Sequence, residues 1–163
     1  MLKLALTAAG LLLSLLAVPA TAEELCDPAF QDCRARLLGL INNERVRLDF
    51  AFNLLEDQLI TDAVIARHRA GVPVRVIMEP RRNSTNPLNG TMIERMRAAG
   101  VPLRQKPSGR IFHWKMFMFA GQQVVEFAAT NFTADYLRPK VAYRDYHSDP
   151  VYISRDLALV RSF

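Results

Sequence analysis

Two stretches of the chain repeat the same helix-to-strand junction. "RAGVPVRV", residues 69–76, and "AAGVPLRQ", residues 98–105, each follow an amphipathic run with a glycine and then Val-Pro. Glycine takes the left-handed conformation that ends a helix, and proline prevents the helix from continuing. Because a strand-like run then starts, each junction is typical of a helix that leads into a strand of an α/β unit. The chain is therefore predicted to contain successive β-α units.

Other segments extend this α/β pattern. Helices are predicted from Asp27 onward and at residues 56–71, 89–100 and 155–163, and strands at 45–54, 72–80, 101–107, 111–120, 124–130 and 151–154. The first helix is expected to bury Phe30, Cys33, Leu37, Leu38 and Ile41, and the first strand to bury Val46, Leu48, Phe50 and Phe52 on one face. "AGQQ" is predicted as a hairpin turn and "PRRNSTNPLNG" as a polar loop. We expect an α/β fold with a mixed β-sheet flanked by helices on both faces.

The first 22 residues are typical of a secretory signal peptide. Lys3 precedes the uncharged apolar run 4–18, and Ala20-Thr21-Ala22 supplies small residues for cleavage. The alternative is a membrane anchor, but the run is shorter than the roughly 20 apolar residues of a spanning helix. We predict cleavage after Ala22, a mature domain at 23–163, and a secreted or periplasmic protein with no stable membrane span.

The charge and the cysteines fit an exported protein. The chain carries 21 Lys+Arg against 16 Asp+Glu, a net charge of +5, which falls to +4 when Lys3 is removed. A mildly basic protein suits an anionic partner, such as phospholipid head groups or nucleic acid. Cys26 and Cys33 would form a disulfide in an oxidising compartment, and the alternative is a pair of reduced or intermolecular thiols.

The run "HWKMFMFAGQQVVEFAATNFT" places two ionisable groups in an apolar stretch. On a strand, His113 and Lys115 would face the same side, beside Phe117 and Phe119. A buried ammonium needs an anionic partner, because its desolvation is costly. The alternative is that both residues lie at the exposed start of the strand.

The order of residues in this run resembles the phospholipase D superfamily. Its motif is His-x-Lys, four residues, Asp, about six residues, and Gly-Ser-x-Asn. His113-Trp114-Lys115 matches the first part, Gly121 matches the usual turn glycine, and Ala128-Ala129-Thr130-Asn131 falls one residue later than the commonest position of the last part. The upstream strands and helices are similar too, so the resemblance covers residues 30–163. It implies a phospholipase D-like α-β-α sandwich.

The resemblance also implies a chemistry for these residues. His113 would attack phosphorus and form a phosphohistidine, while Lys115 and Asn131 would bind the phosphate oxygens. Asp149 precedes the strand after the asparagine, where the family has an acid that orients the histidine; the alternative is an ordinary turn residue before Pro150. The family needs neither metal nor cofactor.

Two departures separate the chain from the family motif. The motif aspartate is replaced by Ala120, and the Gly-Ser pair is replaced by Ala128-Ala129, which removes a hydroxyl near the phosphate. The residues with direct chemical roles, His113, Lys115 and Asn131, are retained. We expect an active enzyme, although a decayed site that binds phosphate without turnover is the alternative. Glu126 has no role in the motif, and we expect it to pair with an arginine.

The resemblance, taken with the signal-peptide pattern, predicts an exported, metal-independent phosphodiesterase that hydrolyses phospholipids, phosphatidylcholine to phosphatidate. An exported endonuclease of the same superfamily and a non-catalytic phosphate-binding module are the alternatives. The mechanism needs a second histidine to protonate the leaving oxygen, and the sequence contains one motif copy. The second copy would come from a homodimer partner or from a missing C-terminal half, since "RDLALVRSF" ends without a cap or a polar tail.

Overall fold

The computed structural model describes residues 23–107, 109–139 and 149–163, so the predicted signal peptide lies outside the described residues. Within these ranges the strands form one sheet of seven, in the order β1-β7-β6-β5-β2-β3-β4. β2, β3 and β4 are mutually parallel, whereas β5, β6 and β7 alternate in direction. The sheet is therefore mixed, as predicted, and β5 is its central strand.

Most predicted elements are present, with shorter bounds. The strands are β1 Glu24–Cys26, β2 Leu48–Phe52, β3 Val74–Met78, β4 Leu103–Gln105, β5 Lys115–Phe119, β6 Val124–Ala128 and β7 Val151–Ser154. The helices are α1 Cys33–Asn43, α2 Gln58–Arg69, α3 Arg82–Thr85, α4 Pro87–Ala98 and α5 Leu157–Val160. β1 was not predicted, and the single-turn helix α3 lies in the segment predicted as a loop.

The main core lies between the sheet and the layer formed by α1, α2 and α4. Phe50 is at its centre, with its ring stacked on Phe117 at 3.9 Å and edge-on to Phe132 at 5.3 Å between centroids. A smaller apolar cluster on the opposite face includes Met116, Met118 and Val125, packed against residues of α5. Helices therefore occupy both faces, but α5 is a single turn where a longer helix was predicted.

The first predicted helix begins later than the sequence indicates. Asp27 and Pro28 belong to a turn, in which the backbone carbonyl of Asp27 accepts from the N–H of Phe30 and of Gln31. The N-cap is Asp32, whose side chain accepts from the N–H of Ala35. Because of this shift Phe30 is exposed, and the prediction that it is buried is wrong.

The first long strand is also shorter than predicted at its start. The carboxylate of Glu44 accepts from the backbone N–H groups of residues 45–47, which curls this segment into a turn. Val46 is therefore exposed and does not join the buried face of β2. Oε1 of Glu44 also accepts from the N–H of Gly121, where a Cβ would lie 2.7 Å from that oxygen, so a larger residue would displace the Glu44 carboxylate.

Two other local predictions are confirmed. Gly71 and Gly100 have positive φ angles of 83° and 79°, as the two repeated junctions require. Cys26 and Cys33 form a disulfide, which joins the end of β1 to the start of α1. Among the described residues, no helix has the length and apolar character needed to cross a bilayer.

Candidate active site

The sheet topology gathers the predicted site residues at one edge. β2 and β3 end at this edge, and because β5 is antiparallel to β2, β5 starts there. β6 and β7 alternate in direction, so Asn131 follows the end of β6 and Asp149 precedes the start of β7 at the same edge. His113 and Lys115, at the start of β5, lie between them.

His113 and Lys115 are in direct contact. The ammonium Nζ of Lys115 lies 3.0 Å from Nδ1 and 3.1 Å from Nε2 of His113, so it can donate to whichever ring nitrogen carries no proton. The lysine is only 6% exposed, whereas the histidine is exposed. Lys115 is therefore buried, as one reading of the sequence predicted, and His113 is exposed, as the alternative predicted.

His113 precedes the strand in which it was predicted. The backbone of the residue before it, Phe112, is bound by side chains and not by a neighbouring strand. Its N–H donates to the Glu79 carboxylate, and its carbonyl accepts from Nδ2 of Asn53 at 2.8 Å. Both partners are almost fully buried and follow the ends of β3 and β2. The backbone is therefore fixed on both sides immediately before the histidine.

Burial and neighbouring charges shift both titrating groups toward their neutral forms. The pKa of His113 is lowered by partial burial, then by the positive charges of Lys115 and Arg82. The pKa of Lys115 is lowered mainly by burial; Asp149 opposes this shift, and Arg82 adds to it. A neutral imidazole with a free nitrogen at neutral pH is the form that a nucleophile requires.

Asn131 lies at the predicted edge of the sheet. Its side-chain oxygen has no hydrogen-bond partner within the described part of the chain. Its Oδ1 is buried without a hydrogen bond, and so are the hydroxyl oxygens of Thr130 and Thr133. The following residue, Phe132, is held against the end of β2, where its N–H donates to the carbonyl of Leu54. These unpaired polar atoms are close together in the sequence, in the segment that follows β6, next to β5 in the sheet.

Asp149 is exposed and within electrostatic reach of Lys115. Among the described residues, no hydrogen bond joins it to His113, so its role in orienting the histidine stays a prediction. The open cleft beside the pair is lined by Lys106, Ile111, Phe112, Trp114, Phe127 and Ala128. Ala128 occupies the glycine position of the family's Gly-Ser pair, and it adds a methyl group to the cleft.

Glu126 does not pair with an arginine, contrary to expectation. It is fully buried opposite Phe117 in the register of β5 and β6, and neither carboxylate oxygen has a hydrogen-bond partner in the ranges that the structure covers. Burial raises its pKa to about 8. Burial therefore favours the protonated acid at neutral pH, while the backbone N–H of Phe117 favours the carboxylate.

Sequence reasoning missed three residues next to the site. Asn53 and Glu79 hold the backbone before His113, and Arg82 lies on α3 beside them. A signal for the first two is present in the sequence. Each is the first polar residue after a strand, at the carboxyl edge where α/β proteins place their sites.

Comparison with known proteins agrees with the fold and the motif. The family model for "Cardiolipin synthase, PLD-like domain" matches residues 37–143, well over half of the chain. The chain belongs to the phospholipase D superfamily. None of the curated proteins that were compared matches the sequence.

Solved structures of other proteins have the same fold. Nuc from Salmonella typhimurium, a phospholipase D family member, is 21% identical with a TM-score of 0.72, covering 87% of this chain and 88% of Nuc. NucT from Helicobacter pylori is 13% identical with a TM-score of 0.68, covering 86% and 89%. Phosphatidylserine synthase from Haemophilus influenzae is 16% identical with a TM-score of 0.64, covering 86% of this chain and 34% of that one.

Proposed function

We propose that the chain is a phosphodiesterase that works through a phosphohistidine on His113. The observation that supports this most is the buried ammonium of Lys115, which contacts the imidazole and has no hydrogen-bonded carboxylate among the described residues. A buried cation without a hydrogen-bonded carboxylate suits a phosphate group that binds beside the histidine.

In the proposed reaction, a neutral ring nitrogen of His113 attacks phosphorus and the leaving oxygen departs with its electron pair. Lys115 transfers its hydrogen bond from the imidazole to a non-bridging phosphate oxygen, where negative charge grows. Asn131 donates its amide N–H to the same group. Water then attacks the phosphohistidine, which releases the histidine and the phosphate monoester. Residues 53 and 79 keep His113 in line through the backbone of Phe112.

We infer that a second copy of the chain supplies the acid for the leaving group. One chain contributes one motif histidine, and the first step needs both a nucleophile and a proton donor. A symmetric homodimer would bring two copies of His113 together at one site. A second domain on another chain would serve the same purpose and is the alternative to the homodimer.

Phospholipid is one candidate substrate. The exposed side chains of Ile111 and Trp114, which are 52% and 46% exposed, line the cleft beside His113 and would contact an acyl chain or the bilayer surface. Nucleic acid is the second candidate, because a base could stack on the same indole and because Arg82 adds positive charge beside Lys115.

Export of the mature domain is also part of the proposal. The disulfide between Cys26 and Cys33 supports an oxidising compartment. N-terminal sequencing of the protein from a secreting host should give Glu23 as the first residue. A mature protein that retains residues 1–22 would contradict export with cleavage.

The function is tested by turnover of phosphatidylcholine vesicles, single-stranded DNA and bis(p-nitrophenyl) phosphate. His113→Ala should abolish hydrolysis of each substrate that the unmodified chain cleaves, and its melting curve should stay unchanged because the side chain is exposed. EDTA should leave the rates unchanged, since the mechanism uses no metal. His68→Ala, on α2, is the matched control and should retain full activity. A His113→Ala variant with the parent rate would disprove the mechanism.

A further inference from the structure

Arg82 is tied to the active site through one buried amide. Its Nε donates to Oδ1 of Asn53 at 3.3 Å, while Nδ2 of the same asparagine donates to the carbonyl of Phe112 at 2.8 Å. Asn53 is fully buried, so both hydrogen bonds are shielded from water. The guanidinium is thereby linked to the residue that precedes His113.

The charge of Arg82 is not neutralised by a carboxylate in the described part of the chain. Its neighbour Arg81 differs in this respect, because Nε of Arg81 lies 2.7 Å from Oε1 of Glu79. Arg82 lowers the pKa of both His113 and Lys115. A cation that disfavours the charged forms of His113 and Lys115 is electrostatically unfavourable beside them, and a bound anion would offset this repulsion.

We propose that Arg82 binds the phosphodiester next to the scissile one in a single-stranded nucleic acid, and that Asn53 positions it for this role. The inference rests on the proposed function of His113 and Lys115 as the site of the scissile phosphate. Lys115 touches the imidazole directly, whereas Arg82 is linked through Asn53 to the backbone of Phe112, the residue before His113. Arg82 is therefore placed for a neighbouring phosphate.

The chemistry of the two candidate substrates favours the polyanion at this position. Each internal phosphodiester of a nucleic acid has charged phosphodiesters on both sides. Phosphatidylcholine carries a single phosphate, and its choline cation would be repelled by an unneutralised arginine. Arg82 thus discriminates between the two classes by charge.

Binding of two hexathymidylates tests the proposal without requiring turnover. One oligonucleotide has ordinary phosphates throughout, and the other keeps only its central phosphate, with neutral methylphosphonates at the remaining linkages. Affinities are measured by fluorescence anisotropy in the His113→Ala background, so that nothing is cleaved. The parent should bind the all-phosphate form about tenfold more tightly, the order expected for one charge-assisted hydrogen bond.

Arg82→Gln should lose most of this preference, and the slope of log affinity against log salt should fall by about one. Arg82→Lys keeps the charge and should retain part of the preference, which covers the case that the glutamine variant folds poorly. Arg69→Gln removes the same charge from the exposed far end of α2, at the opposite edge of the sheet, and should keep the full preference.

A parent that does not prefer the all-phosphate form, or an Arg82→Gln variant that keeps the preference, overturns the proposal. It is also overturned if Arg82→Gln weakens only binding to cardiolipin vesicles, because the phosphate bound by Arg82 would then belong to a lipid. Turnover of bis(p-nitrophenyl) phosphate by the chain with His113 intact tests the proposed function separately. Absence of that turnover refutes the phosphodiesterase, whereas the anisotropy result alone decides the role of Arg82.

Discussion

Lys115 lies against the imidazole of His113 with no carboxylate hydrogen-bonded to it in the described ranges. Its position is explained by function better than by stability, because burial of an ammonium without a hydrogen-bonded carboxylate is unfavourable. Lys115→Met keeps most of the side-chain volume and removes the charge. We expect the free energy of unfolding to rise by about 1 kcal/mol or more. Urea unfolding measures this change, and hydrolysis should be lost in the same variant; a less stable variant would contradict the argument.

The pKa of His113 should be below that of an ordinary imidazole, because partial burial and the charges of Lys115 and Arg82 oppose protonation. The acid limb of kcat/KM should therefore lie below pH 6.5. An NMR titration of the ring protons measures the pKa directly. Lys115→Met should raise it, and an unchanged pKa in that variant would show that the lysine does not act on the ring.

Asp149 should support the charged form of Lys115. Its carboxylate opposes the lowering of the lysine pKa by burial, so Asp149→Asn should lower that pKa further. Since protonated lysine binds the phosphate, the alkaline limb of kcat against pH should move to lower pH. Glu94→Gln removes an exposed carboxylate from α4 and serves as the control, with an unchanged profile. If Asp149→Asn lost activity without shifting the alkaline limb, Asp149 would act on His113 and not on Lys115.

Glu126 should make the fold less stable as the pH rises. The folded chain keeps the proton of Glu126 up to a pKa of about 8, whereas the unfolded chain releases it near 4.5. The unfolded state therefore binds fewer protons between these values, and the free energy of unfolding falls by up to about 1.4 kcal/mol per pH unit. Urea unfolding from pH 5 to 8 should show this slope. Glu126→Gln should remove it, and Glu94→Gln should retain it.

The homodimer proposal predicts that specific activity rises with protein concentration as chains associate. Light scattering should show the mass of a dimer under the conditions of full activity. Mixing His113→Ala and Lys115→Ala chains should restore little activity, because each composite site still lacks an essential group. A monomer whose specific activity is independent of dilution would contradict this proposal.

The sequence by itself determined the α/β class and the superfamily. The two Gly-Val-Pro junctions end α2 and α4 as predicted, because glycine and proline act on the backbone locally. The order of His113, Lys115 and Asn131 likewise identified the superfamily, since these side chains are specified by the reaction. Local patterns also gave most strands within a few residues.

Only the tertiary structure decided how the site is held and which charges reach it. Asn53 and Glu79 are separated from Phe112 by 59 and 33 positions, and no local pattern predicts hydrogen bonds over such distances. The start of β5 and the burial of Lys115 depend on those same contacts. The burial of Glu126 without a partner also follows from three-dimensional packing, because residue type alone favours a paired or exposed carboxylate. Contacts between distant segments set these features, and they form only when the sheet is assembled.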